Sequence, residues 1–201
     1  MRKNIALLIL AAGASNRIGQ PKQLLTYKNG TFISNIVNAA IKSKVGDLFL
    51  VYGAYRNQIE SEIRPFARQM NSFYNDNWER GMGNSLAKGI KELSRNNKYD
   101  GVIVLLADQV MVDANCIQRL AELHEKTGKG IIPSYYGQDF GPPTLFSSKY
   151  FDEMMKLDGD IGAKPLIRNN ISDLAAFYFP PGKIDIDHLD EYYELVKCEM
   201  I

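Results

Sequence analysis

The sequence predicts an α/β fold built on a mainly parallel sheet. Three observations carry this. Residues 5–10, 48–52 and 101–107 are continuous apolar runs, the pattern of strands buried on both faces. Amphipathic helical patterns alternate with them, as strand–helix–strand units require. Asp108 directly follows the third run, at the carboxyl rim where ligands of such sheets bind.

The elements follow in order. The first run ends in Ala11-Ala12-Gly13. Thr31 is placed to cap a helix with an apolar face of Phe32, Ile33, Ile36, Val37, Ala40 and Ile41. The second run is stopped by Gly53, and a helix over 58–64 ends before Pro65. Residues 72–74 read as a short strand, 75–83 as a loop and 84–95 as a helix. A helix over 114–126, opened by Asp113, and a short strand over 130–133 come after the third run. From Ser134 the rhythm weakens. Residues 143–146 and 175–179 read as strands separated by helical stretches, supplying an antiparallel strand or a lid over the site. Residues 189–196 read as a last helix, with Asp187 a candidate N-cap.

The chain has 201 residues, enough for one domain with its own core. No repeat, low-complexity tract or Pro- or Ser-rich linker divides it, so a single domain over 1–201 is expected. Its net charge is +1, from 24 Lys and Arg against 23 Asp and Glu, which argues against binding duplex nucleic acid by bulk charge. Cys116 and Cys198 stand far apart without a CxxC partner, which argues against a zinc site or a disulfide framework and suits a cytoplasmic location. The apolar N-terminal run is too brief for a signal peptide and leads straight into polar chemistry. No run reaches the length of a membrane span.

The chemistry concentrates in the loop after the first run. Leu10, Ala11, Ala12, Gly13, Ala14 and Ser15 are small or end the strand, so backbone N–H groups can approach an anion closely. Arg17 and Lys22 add fixed positive charge, and the whole reads as a triphosphate cradle. The loop is not a P-loop, because five residues separate Gly13 from Gly19 and Gln20 follows. It is not a dinucleotide fingerprint either, because Ser15 and Ile18 stand where glycines belong.

Leu10-Ala11-Ala12-Gly13, Ser15, Arg17, Gly19 and Pro21-Lys22 together resemble the signature of nucleotidyltransferases of the molybdenum cofactor type. The likeness continues in order along nearly the whole chain. Asn75, Gly81, Ser85-Leu86 and Gly89 resemble that family's base-binding segment. Asp108-Gln109 resembles its metal-binding strand end, and Gly141, Pro143 and Phe146 its acceptor-side loop. Leu157 with Gly159-Asp160 and Gly162-Ala163 resembles the LxGDxGA motif of the cytidylyltransferase branch. Asp185-Ile186-Asp187 resembles its late metal segment. The departures are Ile18 for Met, Val110 for Pro, Lys164 for Arg, and His188-Leu189-Asp190 for Thr-Pro-Glu.

The resemblance implies a Rossmann-like three-layer α/β/α nucleotidyltransferase fold. Residues 1–133 would mainly bind the NTP and 134–201 mainly face the acceptor. It implies Mg²⁺ held by Asp108 with Asp187 or Asp185. Arg17, Lys22 and Asp108 are the expected catalytic residues. Residues 10–15 with Asn75, Gly81 and Ser85 are expected to contact the nucleotide, and Gly141, Pro143, Asp160 and Gly162 the acceptor. The expected reaction moves CMP from CTP to molybdopterin carrying molybdenum, with a molybdoenzyme or chaperone as a possible protein partner. Alternatives are a sugar or alditol phosphate acceptor, or a chaperone that binds nucleotide or cofactor without turnover. His124 and His188 read as helix or surface residues, and Tyr135-Tyr136 and Phe177-Tyr178-Phe179 as packing. Trp78 reads equally as a local anchor or a substrate wall.

Overall fold

The computed structural model describes residues 3–15, 17–95, 99–184 and 186–198. In chain order its elements are β1 (Ile5–Ala11), a small hairpin of β2 (Thr26–Tyr27) and β3 (Gly30–Thr31), α1 (Phe32–Ser43), β4 (Leu48–Tyr52), α2 (Arg56–Ile63), β5 (Met70–Tyr74) and α3 (Met82–Ser94). Then come β6 (Gly101–Leu106), α4 (Ala114–Thr127), β7 (Ile131–Tyr135), β8 (Phe140–Ser147), α5 (Phe151–Met154), α6 (Lys164–Asn169), β9 (Phe177–Tyr178) and α7 (Leu189–Cys198). Among the described residues no helix is long and apolar enough to cross a membrane.

Seven strands form one sheet in the order β5-β4-β1-β6-β8-β7-β9. Only β8 is reversed, pairing antiparallel with β6 on one side and β7 on the other. The expected antiparallel strand is therefore an internal one. It begins at Phe140, three residues earlier than the apolar pattern of 143–146 suggests, because Phe140 and Gly141 pair with Tyr135 and Ser134 across a register shift. The bond between Pro142 and Pro143 inside β8 is cis.

Alternate residues of β1 feed two cores. Ile5, Leu7, Ile9 and Ala11 pack with α1, α2 and α4 on one face. Ala6, Leu8 and Leu10 pack with α3, α5 and α6 on the other. The result is the three-layer α/β/α arrangement, and it explains why β1 is apolar at every position. Gly89 serves this packing: a Cβ there would lie 2.7 Å from both methyls of Leu8, so glycine lets α3 sit on β1. That is a helix–sheet contact, whereas the motif match groups Gly89 with base-binding residues.

Local signals place the helices. Thr31 caps α1 in a full capping box with Ser34, and Asp113 caps α4 by accepting from the Cys116 N–H at 2.7 Å. α2 starts at Arg56, earlier than the pattern indicates, because Tyr55 takes a left-handed conformation (φ 57°) that turns the chain out of β4. α3 starts at Met82, because Gly81 (φ 99°) turns the chain in a region closed to most side chains. A third, smaller core joins Ile18, Leu25, Tyr27, Phe32 and Ile186, with Leu189, Tyr192 and Leu195 of α7 packed on it. It fastens the last helix to the segment that follows the small-residue loop.

Candidate functional site

The carboxyl ends of β1 and β6 open into a cleft of about 600 Å³. Residues 10–15 form its floor, and Arg17, Lys22, Gly81, Ser85, Asp108, Asp160 and Asp187 line its sides. Five segments far apart in sequence thus meet where the sheet topology places a ligand.

The charged groups are mutually compensated. Lys22 is carried by a one-turn 3₁₀ helix and is buried, with 9% of its side chain exposed. Its ammonium stands 2.8 Å from Asp108 Oδ2 and 3.5 Å from Asp187 Oδ1. Arg17 donates to Asp187 from the solvent side. Asp187 is accordingly engaged by its side chain in the cleft, and its backbone N–H and that of His188 donate to Glu191 Oε2 at 2.7 and 2.9 Å. Asp185 lies outside the described residues.

Two carboxylates converging on one cation are a hard-oxygen set suited to a Mg²⁺-class ion, which takes one or two carboxylates and fills its remaining positions with water and phosphate oxygens. Among the described residues no group of three or more His, Cys, Asp or Glu side chains could enclose a metal by itself. The residues fit an ion that arrives with a phosphate ligand better than a closed structural site.

One wall comes from the turn before α3. Ser85 lines the cleft, while Asn75 lies behind it, 1% exposed, and donates to Ser85 Oγ and Asn84 Oδ1 at 3.1 Å each. Asn75 supports this wall without lining the cleft. Trp78, Glu79 and Met82 also line the cleft, so Trp78 is a wall. The wall is strapped to the segment that carries Asp160. Arg80 pairs with Asp158, the Gly83 N–H donates to the Gly159 carbonyl at 2.7 Å, and Asn84 reaches Asp158 at 3.3 Å. The Arg80 guanidinium holds the Asp158 carboxyl below the usual carboxylate range.

Of the four expected acceptor-side residues, Asp160 lines the cleft; Gly141, Pro143 and Gly162 are not among its lining. Gly141 packs under Tyr136 and the Pro143 carbonyl accepts from Ser134 Oγ at 2.7 Å. Gly162 abuts Met82, which does line the cleft. Gln109 connects the Asp108 corner to β8, donating to the Pro142 carbonyl at 2.5 Å and accepting from the Leu106 N–H at 3.2 Å. His124 is buried in α4 and its Nδ1 bonds the Lys129 carbonyl at 2.7 Å; burial holds its pKa below the usual value, and it takes no part in the cleft.

Sequence reasoning missed Gln23 and Tyr55. Gln23 lines the cleft and donates to the Ala11 and Gly13 carbonyls, and the Tyr55 hydroxyl donates to the Ala14 carbonyl. Gln23 adjoins Lys22 in sequence, which is the one signal that marks it; nothing local marks Tyr55, 41 residues from its partner.

The profile of the MobA-like NTP transferase domain matches residues 7–174. The purine catabolism protein PucB of Bacillus subtilis is 27% identical over 200 residues, covering 96% of each chain. The crystal structure of Rv0371c from Mycobacterium tuberculosis H37Rv superposes with a TM-score of 0.84 at 25% identity, over 98% of this chain and 99% of that one. A structure of the same mycobacterial protein in complex with manganese gives a TM-score of 0.78 at 23% identity, over 96% and 98% of the two chains.

Proposed function

This chain belongs to the MobA-like NTP transferase domain family, whose members are nucleotidyltransferases, and from that premise we propose that it transfers CMP from CTP to molybdenum-bound molybdopterin with release of pyrophosphate. The observation that carries the reading is the Lys22–Asp108–Asp187 constellation beside a floor of small residues. The acceptor's phosphate attacks the α-phosphorus. Being anionic already, it needs no protein nucleophile, so the protein's work is positioning and charge compensation.

The backbone N–H groups of residues 12–15 bind the phosphates. Lys22 and Arg17 offset the charge that develops as pyrophosphate leaves. A Mg²⁺-class cation held by Asp108 and Asp187, with the nucleotide's own phosphates, supplies further charge neutralisation at the triphosphate. The manganese bound by the mycobacterial relative supports a divalent ion. Ser85 and Gly81 face base or ribose. Asp160 and its strap form the acceptor wall. In this reading residues 1–133 serve mainly the nucleotide and 134–201 mainly the acceptor, with Asp187 the part of the second half that returns to the nucleotide.

The choice of CTP rests on Ala12. It is buried in the cleft floor, and its methyl narrows the space beside the base by a volume worth roughly 1–3 kcal/mol of discrimination. Pairing of Asp108 with a buried lysine argues for turnover over a silent binding module, because binding a polyanion does not by itself call for carboxylates in the cradle. The test is pyrophosphate release with CTP, GTP and ATP against molybdenum-loaded molybdopterin, a sugar phosphate and an alditol phosphate. Turnover with CTP and the molybdopterin acceptor is expected. A preference for GTP overturns the base assignment, turnover only with a sugar or alditol phosphate overturns the acceptor, and nucleotide binding without release under all conditions favours the binding module.

A further inference from the structure

Each carbonyl of the cleft floor from Ala11 to Ala14 is held by a donor from outside the loop. The Ala11 and Gly13 carbonyls accept from Gln23 Nε2 at 3.3 and 2.7 Å, the Ala12 carbonyl from the Ala54 N–H at 3.0 Å, and the Ala14 carbonyl from the Tyr55 hydroxyl at 2.9 Å. Four successive carbonyls are thus fixed by groups outside the loop. In a planar trans peptide the carbonyl and the following N–H point in opposite directions. Fixing the carbonyls of Ala12, Gly13 and Ala14 therefore aims the N–H groups of Gly13, Ala14 and Ser15 the other way. None of those three N–H groups donates to another described residue.

Two features show that the fold sustains a cost to keep these contacts. Gln23 is 5% exposed and its Oε1 is buried without a protein partner. Reversing the amide would satisfy nothing, because it would set Oε1 against two carbonyl oxygens. The unpaired acceptor is the consequence of committing both N–H bonds to the loop. Tyr55 adopts φ 57° and ψ 35°, a conformation a bulky side chain rarely takes, which holds its ring toward residue 14.

We propose that Gln23 and Tyr55 are positioning residues that aim the Ala14 and Ser15 N–H groups, respectively, at the triphosphate before it arrives. This rests on the nucleotidyltransferase reading but not on the identity of base or acceptor. Neither residue is required to touch the nucleotide; each acts through the peptide units whose carbonyls it holds, two for Gln23 and one for Tyr55.

The test uses the full chain and inorganic tripolyphosphate, followed by calorimetry and by the amide signals of Ala14 and Ser15 in NMR spectra. Gln23→Met and Tyr55→Phe remove the donors while retaining most of the volume. Each should keep the parent's circular dichroism and bind tripolyphosphate about tenfold more weakly, the scale of one lost hydrogen bond to a group that orders an anion site. KM for the nucleotide should rise more than kcat falls. The tripolyphosphate-induced shift of the Ala14 amide should shrink in Gln23→Met, and that of Ser15 in Tyr55→Phe. Gln23→Glu adds a signature that packing alone does not produce. Its carboxylate faces carbonyl oxygens when ionised but donates when protonated, so its deficit relative to the parent should narrow as pH falls. If Gln23→Met loses the fold, Tyr55→Phe, which removes one oxygen, decides the matter. Parent-like affinity and amide shifts in the variants overturn the proposal alone. A parent that binds neither tripolyphosphate nor any NTP overturns the nucleotidyltransferase reading and this proposal with it.

Discussion

Replacing Lys22 with Met should lower stability and turnover but strengthen cation binding. The ammonium lies 2.8 Å from one carboxylate and 3.5 Å from another. At an effective dielectric of about 20 these contacts are worth about 6 and about 5 kcal/mol before desolvation. Much of that is cancelled by dehydrating the three groups, and Asp108 and Asp187 remain 27% and 41% exposed, so water re-solvates them once the lysine is gone. A net stability loss of about 1–2 kcal/mol follows. Turnover should fall about a hundredfold, the typical effect of removing one charge-stabilising contact in a transition state. Cation binding should improve, because Lys22 and a divalent ion compete for the same two carboxylates. A gain of about tenfold in Mn²⁺ affinity corresponds to about 1.4 kcal/mol. Calorimetric titration of Mn²⁺ without nucleotide reads this directly. Added Mn²⁺ should also restore more of the variant's melting temperature than the parent's, by mass action on the folded state. Equal or weaker Mn²⁺ binding by Lys22→Met would refute the shared-cation argument and, with it, the pairing of Asp108 with Asp187 as ligands.

Asp108→Asn should abolish Mn²⁺ binding and turnover together, while Asp187→Asn weakens both less because its carboxylate is more exposed and lies farther from Lys22; parallel titrations of the two variants check this. Gly81→Ala should separate the wall before α3 from the Asp160 strap, because the new Cβ would fall 2.5 Å from the Gly159 carbonyl carbon at a backbone φ of 99°. A cost of about 2 kcal/mol or more in urea unfolding and a raised nucleotide KM are expected. Asp173 gives a pH signature far from the cleft. Burial alone would raise its carboxyl, but hydrogen bonds from Lys149, Tyr150 and the Gly130 N–H outweigh that and hold it at about 2. A depressed native pKa stabilises above the unfolded value and is lost as pH falls through the native one. Asp173→Asn should therefore cost on the order of 1–2 kcal/mol at pH 7, with the difference from the parent fading between about pH 4 and pH 2 in denaturant melts.

What was legible in the sequence was local. β1, β4 and β6 announce themselves because a strand covered on both faces is apolar at every position, and α1 and α4 because Thr31 and Asp113 cap them. An antiparallel strand was expected from the second half, but that it would be β8 and not β9 was not legible. Strand polarity depends on which neighbours pair, and apolar residues serve either direction equally. Asn75 and Gly89 carry a different lesson. Both match the motif, yet the structure places one behind Ser85 and the other against Leu8. A motif preserves whatever a site needs, including residues that only support it.

Asp187 shows how such a distinction is decided by packing. An Asp two residues ahead of a helix is by pattern a cap candidate. Here Glu191 takes that task, bonding the N–H groups of Asp187 and His188 and leaving the Asp187 carboxylate to Lys22 and Arg17. The helix is in turn held where this can happen by Leu189, Tyr192 and Leu195 packing on Ile18, Leu25, Tyr27 and Phe32. The Tyr192 hydroxyl adds a hydrogen bond to the Thr26 carbonyl at 2.9 Å. Of these core residues, Ile18 lines the cleft beside Lys22, and the Leu25 N–H donates to the Lys22 carbonyl at 3.1 Å. The small third core therefore fixes the lysine and the second carboxylate relative to each other, although 165 positions separate them in sequence. Tyr192→Ala would loosen that core without touching the cleft. It should weaken Mn²⁺ binding through Asp187 while an Asp187→Asn background shows no further loss. An equal Mn²⁺ deficit in both backgrounds would mean that α7 acts on the site by some route other than Asp187.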